Sequence, residues 1–243
     1  MKKTVVAVIP SRYGSTRFPG KPLALINNKP MIQWVYEKVK SISDIDEVYV
    51  ATDDNRIYDA VHSFDGKAIM TSKEHNSGTD RIAAALNKIE RKFDIVLNVQ
   101  GDEPMVRQEM LISLIRSFED ENVYYSTLKY EIKNDDEIND PNIAKVITDS
   151  SENAIYFSRS TIPYNRDKIE NYKYYKHIGI YAYTYDFLFK FSMLESGYLE
   201  KMEQLEQLRA IENGYKVKVI ESNYQSIGVD LPEHIDILKE HLI

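Results

Sequence analysis

The chain has 243 residues, 43% of them apolar and 28% charged, with a net charge of -7 and no cysteine. That length suits one domain whose core needs no metal or disulfide staple, and the missing cysteines exclude a disulfide framework, a thiolate zinc site and a cysteine nucleophile. The acidic balance argues against a nucleic-acid binder, and no apolar run approaches the ~18 residues of a membrane span or, at the start, the ~7–15 residues of a secretory signal. A soluble cytoplasmic protein is expected.

The first run, Thr4 to Ile9, is β-branched and continuous. It predicts a strand buried on both faces, as in a parallel sheet covered by helices, stopped by Pro10. Ile32, Val35, Tyr36 and Val39 recur at helical spacing, which predicts a helix over 31–39 behind Pro30. A strand at 47–51, a helix at 55–64, a strand at 67–71, a helix at 79–89 and an apolar strand at 94–99 follow. The alternation predicts an α/β fold with a mostly parallel sheet. After about residue 123 the runs are strand-like, at 124–132, 144–148, 155–159 and 177–183, with less helix between them. A helix over 199–213 ended by Gly214, a strand at 216–221 and a helix from Pro232 close the chain. Residues 156–185 hold eight of the 18 tyrosines, which fits either aromatic filler or a contact surface.

Glycine is scarce, nine in all, so its positions carry information. Gly14 and Gly20 flank the loop after the first strand, Gly78 precedes a helix, Gly101 follows a buried strand, and Gly228 lies near the end. In an open α/β sheet, ligands bind outside the carboxyl ends of the strands. The loop PSRYGSTRFPGKP, residues 10–22, holds Arg12, Arg17 and Lys21 among Ser11, Ser15 and Thr16. Three cations and three hydroxyls on a bent loop suit a polyphosphate. It is no Walker A loop, because five residues separate Gly14 from Gly20 and Pro22 stands where a metal-binding Ser or Thr would be. A dinucleotide fingerprint is absent too.

In VQGDEP, residues 99–104, Asp102 and Glu103 project where a strand ends. A carboxylate there is placed either to hold Mg²⁺ or to cap a helix beginning near Arg107. Asp230, in GVDLPEH, is likewise either an N-cap or a second metal ligand paired with Asp102. SGTDR, residues 77–81, reads as a helix start capped by Thr79 or Asp80. Glu203, Glu206 and Arg209 share a helix face at three-residue spacing, which fits a surface ion-pair row. Arg159 ends a strand, and His177 begins one.

Together the blocks IPSRYGSTRFPGKPL, VATDD, SGTDR, VQGDEPM, YFSRSTIPYNRD, KHIGIYAY, LEQLR and GVDLP resemble the sugar nucleotidyltransferases. Within them the chain is most similar to the 3-deoxy-manno-octulosonate (Kdo) cytidylyltransferases, from residue 5 to about 238. The resemblance implies a Rossmann-like three-layer nucleotidyltransferase fold, with a smaller β-rich subregion for the acceptor and for dimer contact. It implies a CTP-binding half over 1–122 and a sugar-binding and dimer-contact half over 123–243. The implied reaction joins CTP to an eight-carbon keto-sugar acid at the α-phosphorus and releases pyrophosphate, without a covalent enzyme intermediate. Arg12 and Lys21 would hold the CTP phosphates and stabilise the leaving group. Pro10, Ser11, Gly14, Ser15, Ser77, Gly78 and Arg81 would complete the CTP site. Asp102 and Asp230 would bind Mg²⁺. Gln100, Arg159, His177, Tyr181, Glu206 and Gln207 would surround the sugar acid, with the Arg159 fork matching its carboxylate. The tyrosine-rich YFSRSTIPY would form a homodimer contact.

Three positions depart from the family's usual pattern: Ser11, the Gln225-Ser226-Ile227 stretch, and Leu231 in GVDLP. None removes an implied ligand. Relatives acting on the 8-amino analogue of Kdo share a Ser-Ile pair there, so that analogue is the alternative acceptor. A catalytically silent nucleotide-binding relative is a further alternative.

Overall fold

The computed structural model describes residues 2–14, 18–75, 77–225, 228–229 and 231–242. Strands β1 (Val5–Ser11), β4 (Glu47–Thr52), β5 (Ala68–Met70) and β6 (Ile95–Asn98) form one parallel run, in the order β6-β1-β4-β5. Helices α1 (Met31–Lys40), α2 (Asn55–Ser63) and α3 (Gly78–Leu86) connect or follow these strands, and α4 (Gln108–Ser117) comes after β6. A short hairpin of β2 (Leu25–Ile26) and β3 (Lys29–Pro30) precedes α1. Its turn residues, Asn27 and Asn28, both have positive φ, a conformation that asparagine tolerates better than most side chains.

The second half adds β7 (Tyr125–Glu131), α5 (Asp136–Asn139), β8 (Lys145–Thr148), β9 (Ala154–Ser158), β10 (Tyr175–Thr184), α6 (Tyr185–Ser192), α7 (Tyr198–Glu203), α8 (Leu208–Glu212), β11 (Lys218–Glu221) and α9 (His234–Lys239). The long β10 inserts antiparallel between β6 and β7, and β11 pairs parallel with β7. The main sheet therefore runs β11-β7-β10-β6-β1-β4-β5, with the β8–β9 hairpin leaving it from β10. The expected three layers are present. Val5, Ala7 and Ile9 face α1, α2 and α4, while Val6 and Val8 face α3, α6 and α8. Each buried aliphatic side chain in these layers contributes about 1.5–3 kcal/mol. A third, smaller cluster joins Ile26 and Met31 to Val229, Leu238 and Leu242, and so folds the C-terminal segment back over the first half.

The structure corrects several expectations. Pro10 does not stop β1, which pairs with β4 through Ser11. The Val8 carbonyl accepts from Val99 on the β6 side, so two residues on, the missing N–H of Pro10 points past the end of that ladder. The helix expected over 199–213 is two helices, α7 and α8, broken at Gln204 with φ 53. Helix α6 was not expected; Thr184 caps it, its side chain accepting from the Phe187 N–H at 3.3 Å. The cap of α3 is Ser77, which accepts from Asp80 N–H at 3.1 Å, not Thr79 or Asp80. The last helix starts at His234 rather than Pro232.

Candidate active site

Three strand ends bring together the residues expected at the phosphates. Gly20, at φ 71, donates its N–H to the Tyr13 carbonyl at 2.9 Å and closes the loop that follows β1. The Tyr13 ring fills the space a Gly20 Cβ would need. The Arg56 guanidinium stacks 3.3 Å from the centre of that ring, held by Asp54 at 2.9 and 2.7 Å. The loop's stem is thus anchored on the start of α2. Arg12 and Gly14 are exposed, and no described residue bonds the Arg12 guanidinium. Ser15 and Arg17 lie outside the described residues. Lys21 turns inward. Its ammonium is ion-paired to Asp102 and donates to the Val229 carbonyl at 2.8 Å.

The turn after β6 must approach β1 closely. A Cβ on Gly101 would stand 2.5 Å from the Oγ of buried Ser11, so this position requires glycine. The turn is closed by Glu103 N–H donating to the Gln100 carbonyl at 3.2 Å. Neither Asp102 nor Glu103 caps a helix, since Arg107 occupies the N-cap of α4. Val229 N–H donates to the Asp102 carbonyl at 2.9 Å, which brings the 228–229 segment onto Asp102. Asp230 itself lies outside the described residues; α9 has Glu233, not residue 230, at its N-cap. Among the described residues no three carboxylate or histidine groups converge as a metal cage. Asp102 nevertheless offers a partly exposed carboxylate, whose Oδ1 takes no bond from a described residue, which is the hard donor that Mg²⁺ prefers.

The start of α3 forms the adjoining wall. Gly78 packs so near Pro10 that an added Cβ would meet its ring at 3.3 Å. Thr79 donates its hydroxyl to Glu206 Oε2 at 2.8 Å. Arg81 is buried and committed to protein partners. It is bonded to Asp53 at 2.8 Å and to the Thr71 hydroxyl at 2.6 Å. It ties α3 to the ends of β4 and β5, and so fixes the helix start that carries Ser77 and Gly78.

Most residues expected around the sugar lie on β10 and at the start of α8. His177 Nε2 is 2.9 Å from the Thr127 hydroxyl, and its Nδ1 is 3.4 Å from Gln207 Nε2. Thr127 donates its proton to a backbone carbonyl, with Ile180 at 2.9 Å, so it accepts from His177 Nε2–H. Gln207 in turn donates to Nδ1. Both ring nitrogens of the neutral tautomer are used, and burial lowers its pKa to about 3. Tyr181 OH donates to Gln207 Oε1 at 3.3 Å, and its ring lies 5.5 Å from that of His177. Tyr181 sits directly opposite Asn98 in the β10–β6 pair, and Asn98 Oδ1 accepts from Gln100 Nε2 at 3.0 Å. Bonded or facing polar groups therefore run from Gln100 through Asn98 and Tyr181 to Gln207 and His177, beginning two residues before Asp102.

Glu206, next to Gln207, ends this run. Burial raises its carboxyl pKa, against the lowering influence of the Ser77 and Thr79 hydroxyls. Its Oε1 and the hydroxyl of Tyr183 are enclosed without a hydrogen-bond partner among the described residues. Such orphans are rare in a native interior and point to a missing polar partner. The expected surface ion-pair row forms only in part and away from the surface: buried Arg209 pairs with Glu200 at 2.6 Å and lies 3.8 Å from Glu206 Oε1, while Glu203 turns away toward β9.

Arg159 stands apart from the other expected sugar residues. Its Nε donates to the Glu203 carbonyl at 2.8 Å and its Nη1 to the carbonyls of Pro141 and Asn142 at 3.0 and 3.4 Å. Its Nη2 makes no bond to a described residue. Sequence reasoning missed Asn98 and Thr127, missed Thr79 as a Glu206 partner, and put Glu203 in a surface row rather than on Ser158 and Arg159. A polar Asn98 inside an apolar strand was the one available signal.

The family model described as "Cytidylyltransferase" matches residues 6–221. A 3-deoxy-manno-octulosonate cytidylyltransferase of Thermodesulfovibrio yellowstonii is 50% identical over 98% of this chain and 97% of the relative. An 8-amino-3,8-dideoxy-manno-octulosonate cytidylyltransferase of Shewanella piezotolerans is 48% identical over 98% of both. A solved CMP:2-keto-3-deoxy-manno-octonic acid synthetase complexed with CTP superposes with a TM-score of 0.93 at 43% identity, covering 98% of each chain. A 4-diphosphocytidyl-2C-methyl-D-erythritol synthase of Anaerococcus prevotii, at 16% identity and a TM-score of 0.65 over 99% of this chain and 96% of its own, shares the fold. On this evidence of length, identity and fold, the chain belongs to the cytidylyltransferase family, in the branch that holds the 3-deoxy-manno-octulosonate and 8-amino-3,8-dideoxy-manno-octulosonate enzymes.

Proposed function

We propose that this chain transfers the cytidylyl group of CTP to the anomeric hydroxyl of Kdo, with 8-amino-Kdo as the alternative acceptor. The new bond joins the sugar oxygen to the α-phosphorus, and pyrophosphate leaves. The observation that carries this reading is the adjacency of two unlike groups of residues on the turn after β6. Lys21 of the cation-bearing loop pairs with Asp102, and from Gln100, two residues before, a run of neutral polar groups leads to Gln207, beside the orphaned carboxylate oxygen of Glu206.

On the phosphate side, Arg12 and Lys21 hold the triphosphate and offset the charge that develops on the leaving pyrophosphate. Such transfer rests mainly on positioning and charge stabilisation. Pro10, Ser11, Gly14, Ser15, Ser77 and Gly78 let backbone approach the nucleotide, and Arg81 fixes that wall. Asp102, with Asp230, would hold Mg²⁺. When bound, the metal lowers the charge barrier between a polyanion and an anionic sugar. Lys21, ion-paired to Asp102, orients it for that role.

On the acceptor side, Gln100, Tyr181 and Gln207 present neutral donors and acceptors to sugar hydroxyls, and His177, whose ring nitrogens are both engaged, orients Gln207 among them. Glu206 Oε1 accepts one more. The free Nη2 edge of Arg159 takes the sugar carboxylate. The reading assigns residues 1–122 to CTP and 123–243 to the sugar and dimer contact. That division is crossed by Gln100 on one side and by Val229 on the other.

The same reading places the enzyme in the cytoplasm, where CTP is made. It also assigns exposed Ile155, Tyr164, Ile169 and Tyr172 to contact with a second copy. No helix among the described residues is long and apolar enough to cross a membrane. Pyrophosphate release with CTP and Mg²⁺, compared across Kdo, 8-amino-Kdo and a sialic acid, tests the assignment. Turnover with either octulosonate supports it and names the acceptor. Folded protein that binds CTP yet releases nothing with any acceptor refutes it in favour of a silent nucleotide binder.

A further inference from the structure

Lys145, on β8, is fully enclosed. Its ammonium donates to three backbone carbonyls: Asp140 at 2.8 Å, Ile143 at 2.6 Å and Arg159 at 2.7 Å. No carboxylate oxygen bonds it among the described residues. The two carbonyls between, of Pro141 and Asn142, accept from Arg159 Nη1. Four consecutive carbonyls, 140 to 143, therefore face two cations, the outer pair on Lys145 and the inner pair on Arg159. Asp140 holds the turn, its Oδ1 accepting from Asn142 N–H at 2.8 Å. On the other flank, Glu203 accepts from Arg159 N–H at 2.9 Å and from the Ser158 hydroxyl at 2.6 Å. The left-handed Gln204 that follows returns the chain to Glu206 and Gln207.

Burying an ammonium is costly even when it is hydrogen-bonded, and an apolar side chain of like size is often as stable. Desolvation lowers the Lys145 pKa, the nearby Asp140 and Glu203 carboxylates act against it, and the neighbouring Arg159 adds to it.

We infer that Lys145 is a positioning residue for Arg159: with the 140–143 carbonyl loop it sets the guanidinium so that its Nη2 edge faces the acceptor's carboxylate. This rests on the sugar-acid reading of the site. Lys145 touches neither substrate. Its contribution is geometric, and a small misplacement of a binding group lowers reactivity steeply.

The test is the steady-state kinetics of Lys145→Met with CTP and two acceptors, the octulosonate and its carboxamide. The expected result is a KM for the acid raised about 10- to 100-fold. KM for CTP stays within about twofold, and the preference for the acid over the carboxamide falls by a factor like that for the acid. Equal losses on acid and carboxamide, or on CTP and acid, would make Lys145 a merely structural residue and overturn the inference. Asp140→Ala loosens the same loop from the surface without emptying the core. It should shift the acid-to-carboxamide ratio in the same direction by about threefold or more, and an unchanged ratio in a folded variant overturns the inference even if Lys145→Met does not fold. The wild-type chain run alongside separates the two failures. A silent wild type overturns the reaction assignment and this inference with it, whereas an active wild type matched by both variants overturns the inference alone.

Discussion

Lys21→Ala separates the chemistry of the loop from its stability. The wild-type side chain is 15% exposed, and its ammonium holds Asp102, which is 33% exposed, together with the Val229 carbonyl. A hydrogen bond to a charged group is worth about 1.5–3 kcal/mol. Solvent at Asp102 weakens the pairing, so the variant should lose about 1–2 kcal/mol of stability. For a chain of 243 residues that lowers Tm by about 2–8 °C. A domain with about 5–15 kcal/mol in hand stays folded at 25 °C. Turnover should nevertheless fall by about 10²–10³, the loss expected when one donor to transition-state charge is removed. The assay pairs a thermal melt with pyrophosphate release at saturating CTP and octulosonate. Turnover within about threefold of wild type, beside the expected drop in Tm, would refute the catalytic role and leave Lys21 a tie between the 228–229 segment and Asp102.

Three further outcomes follow from the geometry. His177 has its pKa lowered to about 3, so between about 6.5 and 3 the unfolded chain binds the extra proton. Wild-type stability should therefore fall as pH drops through that window, by at most about 1.4 kcal/mol per pH unit; denaturant melts of His177→Gln should show a shallower slope, and equal slopes would contradict the buried neutral tautomer. The Glu206 carboxyl is raised, so the penalty for its ionisation grows as pH climbs above the ordinary carboxylate value toward the folded one. Glu206→Gln should then melt higher than wild type at pH 8 but not at pH 4, while losing at least about tenfold in acceptor kcat/KM; a lower melt at pH 8 would show that the charge stabilises the fold. Gly101→Ala places a Cβ 2.5 Å from Ser11 Oγ and should cost about 1–3 kcal/mol, most of it recovered by adding Ser11→Gly; denaturant melts of the single and double variants that show no recovery would place the conflict elsewhere.

The first half was legible because its signals are local. The β-branched run of β1, the apolar face of α1 and the glycines at strand ends each arise from a few adjacent residues. They led to the loop, Asp102 and the α3 start. Pro10 misled because its effect depends on which side the missing N–H faces, and that is a property of the neighbouring strand. The break at Gln204 was hidden by good helical spacing on both sides. What forces it is Glu203 reaching Arg159, a contact between residues 44 apart. Long-range polar pairs such as Thr79 with Glu206, or Lys145 with the 140–143 carbonyls, leave no periodic trace. The acceptor residues were reached through family resemblance, and their mutual geometry only through the fold. Asp102 carried two readings in sequence, cap or ligand, and the N-cap position of Arg107 removes the first.

The most direct test of the central claim is a ³¹P NMR spectrum of the reaction of wild-type protein with CTP, Mg²⁺ and the octulosonate in ¹⁸O-labelled water. The account predicts loss of the three CTP resonances, growth of one phosphodiester resonance and of pyrophosphate, and no label in the new diester, because the sugar oxygen attacks the α-phosphorus. CDP with inorganic phosphate, or labelled CMP without a diester, would show that water or the γ-phosphorus is the reacting partner and would contradict cytidylyl transfer to the sugar.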